Sequence, residues 1–118
     1  MAAKDDLGRR GETLAAGHLT ASGYQVLERN WRCSHGEIDI VAFKGGEIVF
    51  VEVKTRSSVA YGHPLEAITV AKLARLRRLA GAWCQAHPDV RAAVRIDAIA
   101  IIAPTRGLVE IEHLERVF

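Results

Sequence analysis

The stretch GEIDIVAFKGGEIVFVEVKTR, residues 36–56, decides the fold. Two runs rich in Ile, Val and Phe, Glu37–Phe43 and Glu47–Thr55, flank Lys44-Gly45-Gly46-Glu47. Such runs around two glycines predict a tight hairpin, because the turn that matches strand twist needs positive φ at both central residues. With Gly45-Gly46 as the loop, Lys44 pairs with Glu47, Phe43 with Ile48 and Val41 with Phe50. The same register sets Asp39 opposite Glu52 and Glu37 opposite Lys54. Opposed side chains lie roughly 4.5–5.5 Å apart at Cβ on one face, and residues two apart in a strand share a face. The register therefore predicts one cluster of Glu37, Asp39, Glu52 and Lys54.

Like charges directly opposed destabilise a sheet. With Val41, Phe43, Ile48 and Phe50 nearby, part of that face is buried. Two carboxylates there either share a proton or bind a cation. Mg²⁺ commonly uses only one or two carboxylates, plus waters and a substrate phosphate. A nearby lysine can hold or help deprotonate an attacking water, or stabilise a pentacoordinate phosphate. The plainer alternative is a patch of cross-strand ion pairs, Glu37 with Lys54 and Asp39 with Arg56. A one-residue bulge would break the register and separate the acids.

Outward from the hairpin, the chain reads as helix, three strands, helix, two strands. Asp5 or Asp6 caps a first helix running to about Ser22, with Gly23 as its C-terminal stop and Leu14, His18 and Leu19 on its apolar stripe. Tyr24–Trp31 is the first strand. Arg56–Pro64 forms a loop, and one long helix is predicted over Leu65–Ala86, burying Ile68, Leu73, Leu76, Leu79, Ala80 and Trp83. His87-Pro88-Asp89 ends it. Val94–Ile102 becomes uniformly apolar, as a central strand does. Pro104 to Gly107 turn into an edge strand, Leu108–His113. The fold class is α/β, a mixed sheet of about five strands with helices packed on it.

The 118 residues suit a single domain, 1–118, large enough for a sizeable core. A composition of 49% hydrophobic and 25% charged residues argues against disorder. The N-terminal MAAKDDLGRRGE has no apolar signal core, and no run reaches membrane-spanning length. Two distant cysteines, Cys33 and Cys84, fit a reducing cytoplasm better than a disulfide framework. Net charge is only +2. Lys72, Arg75, Arg77 and Arg78, against the lone acid Glu66, nevertheless mark residues 66–87 as basic. That suits either phosphate binding or a solvated helix face.

GEIDIVAF (36–43) and VFVEVKTR (49–56) resemble the active-site hairpin of the PD-(D/E)XK nuclease superfamily, where an acid on one strand precedes acid-x-Lys on the next. RRGE (9–12), RNWR (29–32), GEIDIVA, FVEVKTR and Lys72 more closely resemble the YraN-type family of small bacterial proteins, over nearly the whole chain. That family's fold is similar to archaeal Holliday-junction resolvases, which implies a restriction-endonuclease-like domain. The resemblance implies Asp39, Glu52 and the Val53 carbonyl as ligands of Mg²⁺ or Mn²⁺, and Lys54 as the catalytic lysine. Glu12 would be an extra catalytic acid from the first helix, and Lys72 a polar group near a substrate phosphate. The proline often preceding the motif's aspartate is absent, with Glu37-Ile38 in its place. Resolvases usually act as dimers, so the resemblance also implies a homodimer on DNA, with branched or structured DNA as the resolvase-like substrate.

Several residues keep two readings. Glu12 also favours the early turns of its helix simply by charge. Gly8 and Gly11 each cost roughly 1 kcal/mol in a helix, which close packing onto the sheet would justify. Arg56 and Arg75 suit phosphate contacts or plain solvation. The loop with Tyr61 and His63 either orders on nucleic acid or has no role. Asp97 in a central strand is expected to be salt-bridged to a neighbour. Cys33-Ser34-His35 lacks a second pair of ligands at zinc spacing, and His18 is expected to be a satisfied packing residue. Three functions compete: a metal-dependent deoxyribonuclease, a nucleic-acid-binding module without turnover, and an interaction protein in which the acids and lysine only stabilise the fold.

Overall fold

The two-glycine bend forms as its sequence requires. In the computed structural model, which describes residues 3–118, Gly45 and Gly46 have φ of 59° and 79°. They join β2 (Gly36–Lys44) to β3 (Glu47–Arg56). The register is the expected one from Lys44↔Glu47 through Val41↔Phe50 to Ile40↔Val51. Around this hairpin stand α1 (Ala3–Ala21), β1 (Gln25–Cys33), α2 (Val70–Ala86), β4 (Ala93–Ile102) and β5 (Glu110–Leu114). The sheet order is β1-β2-β3-β4-β5. Only β3 and β4 run parallel, because the α2 crossover joins them; the other neighbours are antiparallel. This is the α/β mixed sheet expected from the sequence, consistent with a restriction-endonuclease-like fold.

Each face of the sheet carries one helix. Ala15 and Leu19 of α1 pack on Ile40, Ala42, Val49, Val51, Ile99 and Ile101. On the opposite face Leu73, Leu76, Leu79, Ala80 and Trp83 of α2 cover Val41, Ile48, Phe50 and Ile96. Both faces being covered explains why β4 reads as unbroken apolar sequence from Ala98 to Ile102. Among the described residues no helix is long and apolar enough to cross a membrane. Met1 and Ala2, at the start of the segment read as lacking a signal core, lie outside the described residues.

Three expectations need correction. Asp5 and Asp6 do not cap α1; the helix already runs from Ala3, and both acids sit in its first turn, where the helix dipole favours them. The long helix predicted over Leu65–Ala86 is two. Pro64–Ala67 forms a 3-10 turn capped by His63, Ile68 is extended, and Thr69 then caps α2 by accepting the Lys72 N–H. Thr69 offers a side-chain oxygen that competes with helix continuation, which an apolar-stripe count does not register. The last strand begins at Glu110, not Leu108, whose side chain is exposed.

Candidate active site

The β2–β3 ladder ends one step before the two acids. Asp39 is not in register with Glu52; its Oδ2 instead accepts the Val53 N–H at 2.9 Å. The pleat changes phase at this point. Ile40 packs under α1, yet Ile38, two residues away, packs under α2. The same inversion occurs on β1, where Arg29 bonds Thr13 of α1 at 3.2 Å while Trp31 joins the α2-side core. Between them, Asn30 has φ of 54°, a left-handed conformation that Asn tolerates better than most residues. Asn30 and Asp39 are skipped between the pairs Arg29↔Ile40 and Trp31↔Ile38.

The predicted ladder pairs are therefore absent, although the charge of Glu37 still acts on Asp39 and that of Lys54 on Glu52. Asp39 and Glu52 still lie close enough for each to bear on the other's proton. Burial, then the charge of Glu52, pushes Asp39 up to about 7, against the pull of the Val53 N–H. Burial also raises Glu52, opposed by Arg75, by its bond to Asp39, and by Lys72 and Lys54. Glu37 leaves the pairing with Lys54 expected of it and bonds Arg32 across the β1–β2 ladder at 2.5 Å.

Glu37 and Lys54 still meet the same space, a cleft of about 770 Å³ on the α1 side. It is also lined by Glu12, Asn30, Arg32, Val53, Arg56 and Tyr61. Glu12 is held there by close packing: a Cβ on Gly11 would lie 1.7 Å from Thr55 Oγ1. Gly8 has no such neighbour, so close packing accounts for only one of the two helical glycines. Burial, then Asp39 and Glu37, raises the Glu12 pKa, while a hydrogen bond from Asn30 and the charge of Arg29 lower it. Arg56 has its Nε buried without a hydrogen-bond partner.

A divalent cation can be tested against this donor set. Two half-buried carboxylates lie close together, and burial with the charge of Glu52 raises Asp39 to about 7, so a proton sits where a cation would serve. In an extended strand the N–H and C=O of one residue point to the same side, so the Val53 carbonyl faces the gap where Asp39 takes its N–H. Among the described residues no three His, Cys, Asp or Glu side chains form a metal-holding group. The set thus fits a hard ion that accepts two carboxylates, a carbonyl, waters and substrate, and Glu12 stands outside it.

The remaining sequence candidates sort as follows. Lys72 and Arg75 stand on α2 beside Glu52, on the opposite side of the sheet from the cleft. His63 is occupied as a cap, accepting the Leu65 N–H at 3.1 Å, whereas Tyr61 is 92% exposed at the cleft. His18 meets His113 at 3.2 Å, as a satisfied packing residue should. Asp97 is fully buried and salt-bridged to Arg95 on its own strand rather than to a neighbouring one, and β5 meets it through His113 at 2.7 Å. Asn30 and Arg32 were missed as site residues, although both lie in the RNWR motif; a period-two pattern carries no sign of a left-handed residue within a strand.

Relatives agree with the YraN-type resemblance. A UPF0102 protein of Clavibacter michiganensis subsp. michiganensis (strain NCPPB 382) is 57% identical over 112 residues, 95% of each chain. One of Arthrobacter sp. (strain FB24) is 56% identical over 117 residues, 99% of each. One of Frankia casuarinae is 48% identical over 118 residues, 100% of each. With its residues 11–101 also matching the family as a whole, the chain belongs to the uncharacterised protein family UPF0102.

Proposed function

We propose that the chain is a divalent-metal-dependent nuclease of the PD-(D/E)XK superfamily, hydrolysing phosphodiester bonds in DNA. The observation that carries this is the half-buried Asp39–Glu52 pair beside Val53 and Lys54, where β3 leaves its β2 partner. Asp39, Glu52 and the Val53 carbonyl would hold Mg²⁺ or Mn²⁺. Such an ion supplies Lewis acidity toward a phosphoryl oxygen and a more acidic water. Lys54, at the cleft wall, stabilises negative charge developing on the phosphate or positions the attacking water. Glu12, with its raised pKa, is placed to accept or return a proton within the cleft. Arg56 offers an unsatisfied donor to a phosphate. The position suits a site, because β3 and β4 run parallel and ligands collect beyond the carboxyl ends of such strands. A cytoplasmic homodimer acting on branched DNA completes the proposal, by likeness to resolvases and by the unpaired Cys33 and Cys84.

The test is a cleavage screen with linear, single-stranded, flapped and four-way DNA in Mg²⁺ or Mn²⁺. Cleavage should vanish on Glu52→Ala and fall about 10²–10³-fold on Lys54→Ala, with far-UV circular dichroism unchanged. A wild-type chain that cuts none of these with either metal overturns the proposal.

A further inference from the structure

The α2 sequence VAKLARLRRLAGAWCQA contains four cations and no acid. Lys72, Arg75, Arg78, Ala82 and Gln85 follow one another at intervals of three or four, so they form one ridge along the helix. From Lys72 to Gln85 that ridge is about 20 Å long. Its distal half borders a groove of about 560 Å³, walled by Arg75, Arg78, Gln85 and His35 of the β1–β2 turn. The floor is low, since Gly81 has nothing within 4 Å of an added Cβ and Ala82 is its neighbour. Leu79 packs 3.6 Å from a Cβ built on Gly36, which holds the His35 turn against α2. Arg75 lines the groove and its charge acts on Glu52, so the Arg75 end of the groove lies toward Glu52 on the α2 side of the sheet, opposite the cleft.

We infer that this groove is a binding track for one phosphodiester strand, leading from Glu52 along α2 to His35. Cations fixed on a rigid helix, without acids on that helix to neutralise them, complement a chain of phosphates. Small residues at the floor let a sugar–phosphate backbone approach closely. The track rests on the nuclease proposal for its direction only; binding in it needs neither metal nor cleavage.

The probe is a fluorescein-labelled single-stranded oligodeoxynucleotide, titrated by anisotropy in EDTA across a KCl series. The wild-type chain should bind with an affinity that falls steeply with salt. Arg78→Ala should weaken binding and reduce the slope of log K against log[KCl] by about 0.7, the value for one phosphate contact on a single strand. Arg78→Glu should reduce affinity further. Arg78 is exposed, and circular dichroism checks that both variants fold. A wild-type chain that binds no oligonucleotide, or variants that match its affinity and slope, overturn the track. If those variants match wild type while the wild-type chain still cuts DNA, the track fails and the nuclease proposal stands. Salt-sensitive binding that weakens in both variants, without cleavage in Mg²⁺ or Mn²⁺, supports the track and counts against the nuclease.

Discussion

At the scale of single residues, Asn30 is the position on which the site geometry turns. A residue at φ 54° within a strand reverses which face its neighbours occupy, and β2 makes the matching reversal at Asp39. That reversal sends the Asp39 carboxylate toward the Val53 N–H and places Asn30 beside Glu12. A β-branched residue at this φ is a strong outlier. Asn30→Val is therefore expected to cost about 1–3 kcal/mol, whereas Asn30→Gly should keep the fold and lose only the bond to Glu12. Urea denaturation of the two variants checks the order; equal loss in both would show that backbone conformation is not the determinant. None of this was legible from residue types. The sequence did mark Asp39, Glu52 and Lys54, because a two-glycine bend sets a countable register. Counting assumes an unbroken pleat, so it put Glu37 opposite Lys54 in the ladder and missed the phase change.

Among elements, α1 is the one whose placement depends on a single missing side chain. Gly11 lies against Thr55, and an added methyl would meet the Thr55 Cβ at 2.7 Å as well as its hydroxyl. No rotation of Thr55 relieves that contact, so the helix must move off the sheet and take Glu12 with it. Gly11→Ala should destabilise by about 1–3 kcal/mol. Gly8→Ala meets nothing and should stabilise by up to about 1 kcal/mol through helix propensity. Thermal melts of the two variants provide the comparison, and a Gly11→Ala chain as stable as wild type would contradict the contact. Helices and strands were readable here because their apolar periods differ. The division between Pro64–Ala67 and α2 was not, because the apolar stripe passes through it and Ile68 stays packed on the core. The basic groove was equally hidden: His35 is distant in sequence from α2, and only the fold brings them together.

For the molecule as a whole, a buried polar network centred on β4 ties its elements together, with Asp97 level with Val51 across the β3–β4 ladder. Asp97 accepts from Arg95 at 2.9 and 2.8 Å and from the Arg116 N–H at 3.1 Å, and meets His113 at 2.7 Å. His113 reaches His18 of α1, Arg95 bonds the Tyr24 hydroxyl, and Arg116 bonds Glu47 at 2.9 Å. Through one carboxylate, α1, the start of β1, β3, β4, β5 and the C-terminal segment are tied together. Burial pushes the Asp97 pKa up, but His113, Arg95 and the Arg116 N–H outweigh it and hold the group below its ordinary value. A folded pKa below the unfolded value of about 3.9 gives stability that is complete above that pH and lost as pH falls through the folded value. Asp97→Asn should destabilise by about 3 kcal/mol at neutral pH, because buried Arg95 is left with Glu47 at 3.7 Å as its anion, and should flatten the acid limb of stability measured in urea at successive pH values. An unchanged acid limb would remove Asp97 from that role. The Gly45-Gly46 bend has a practical consequence of its own. Nothing lies within 4 Å of an added carbon on either glycine, and the bend is at the opposite end of the hairpin from Asp39 and Glu52. A dye or surface tether carried on the bend would leave the cleft mouth clear, whereas one on Lys44 would give up its bond to the Ser22 carbonyl.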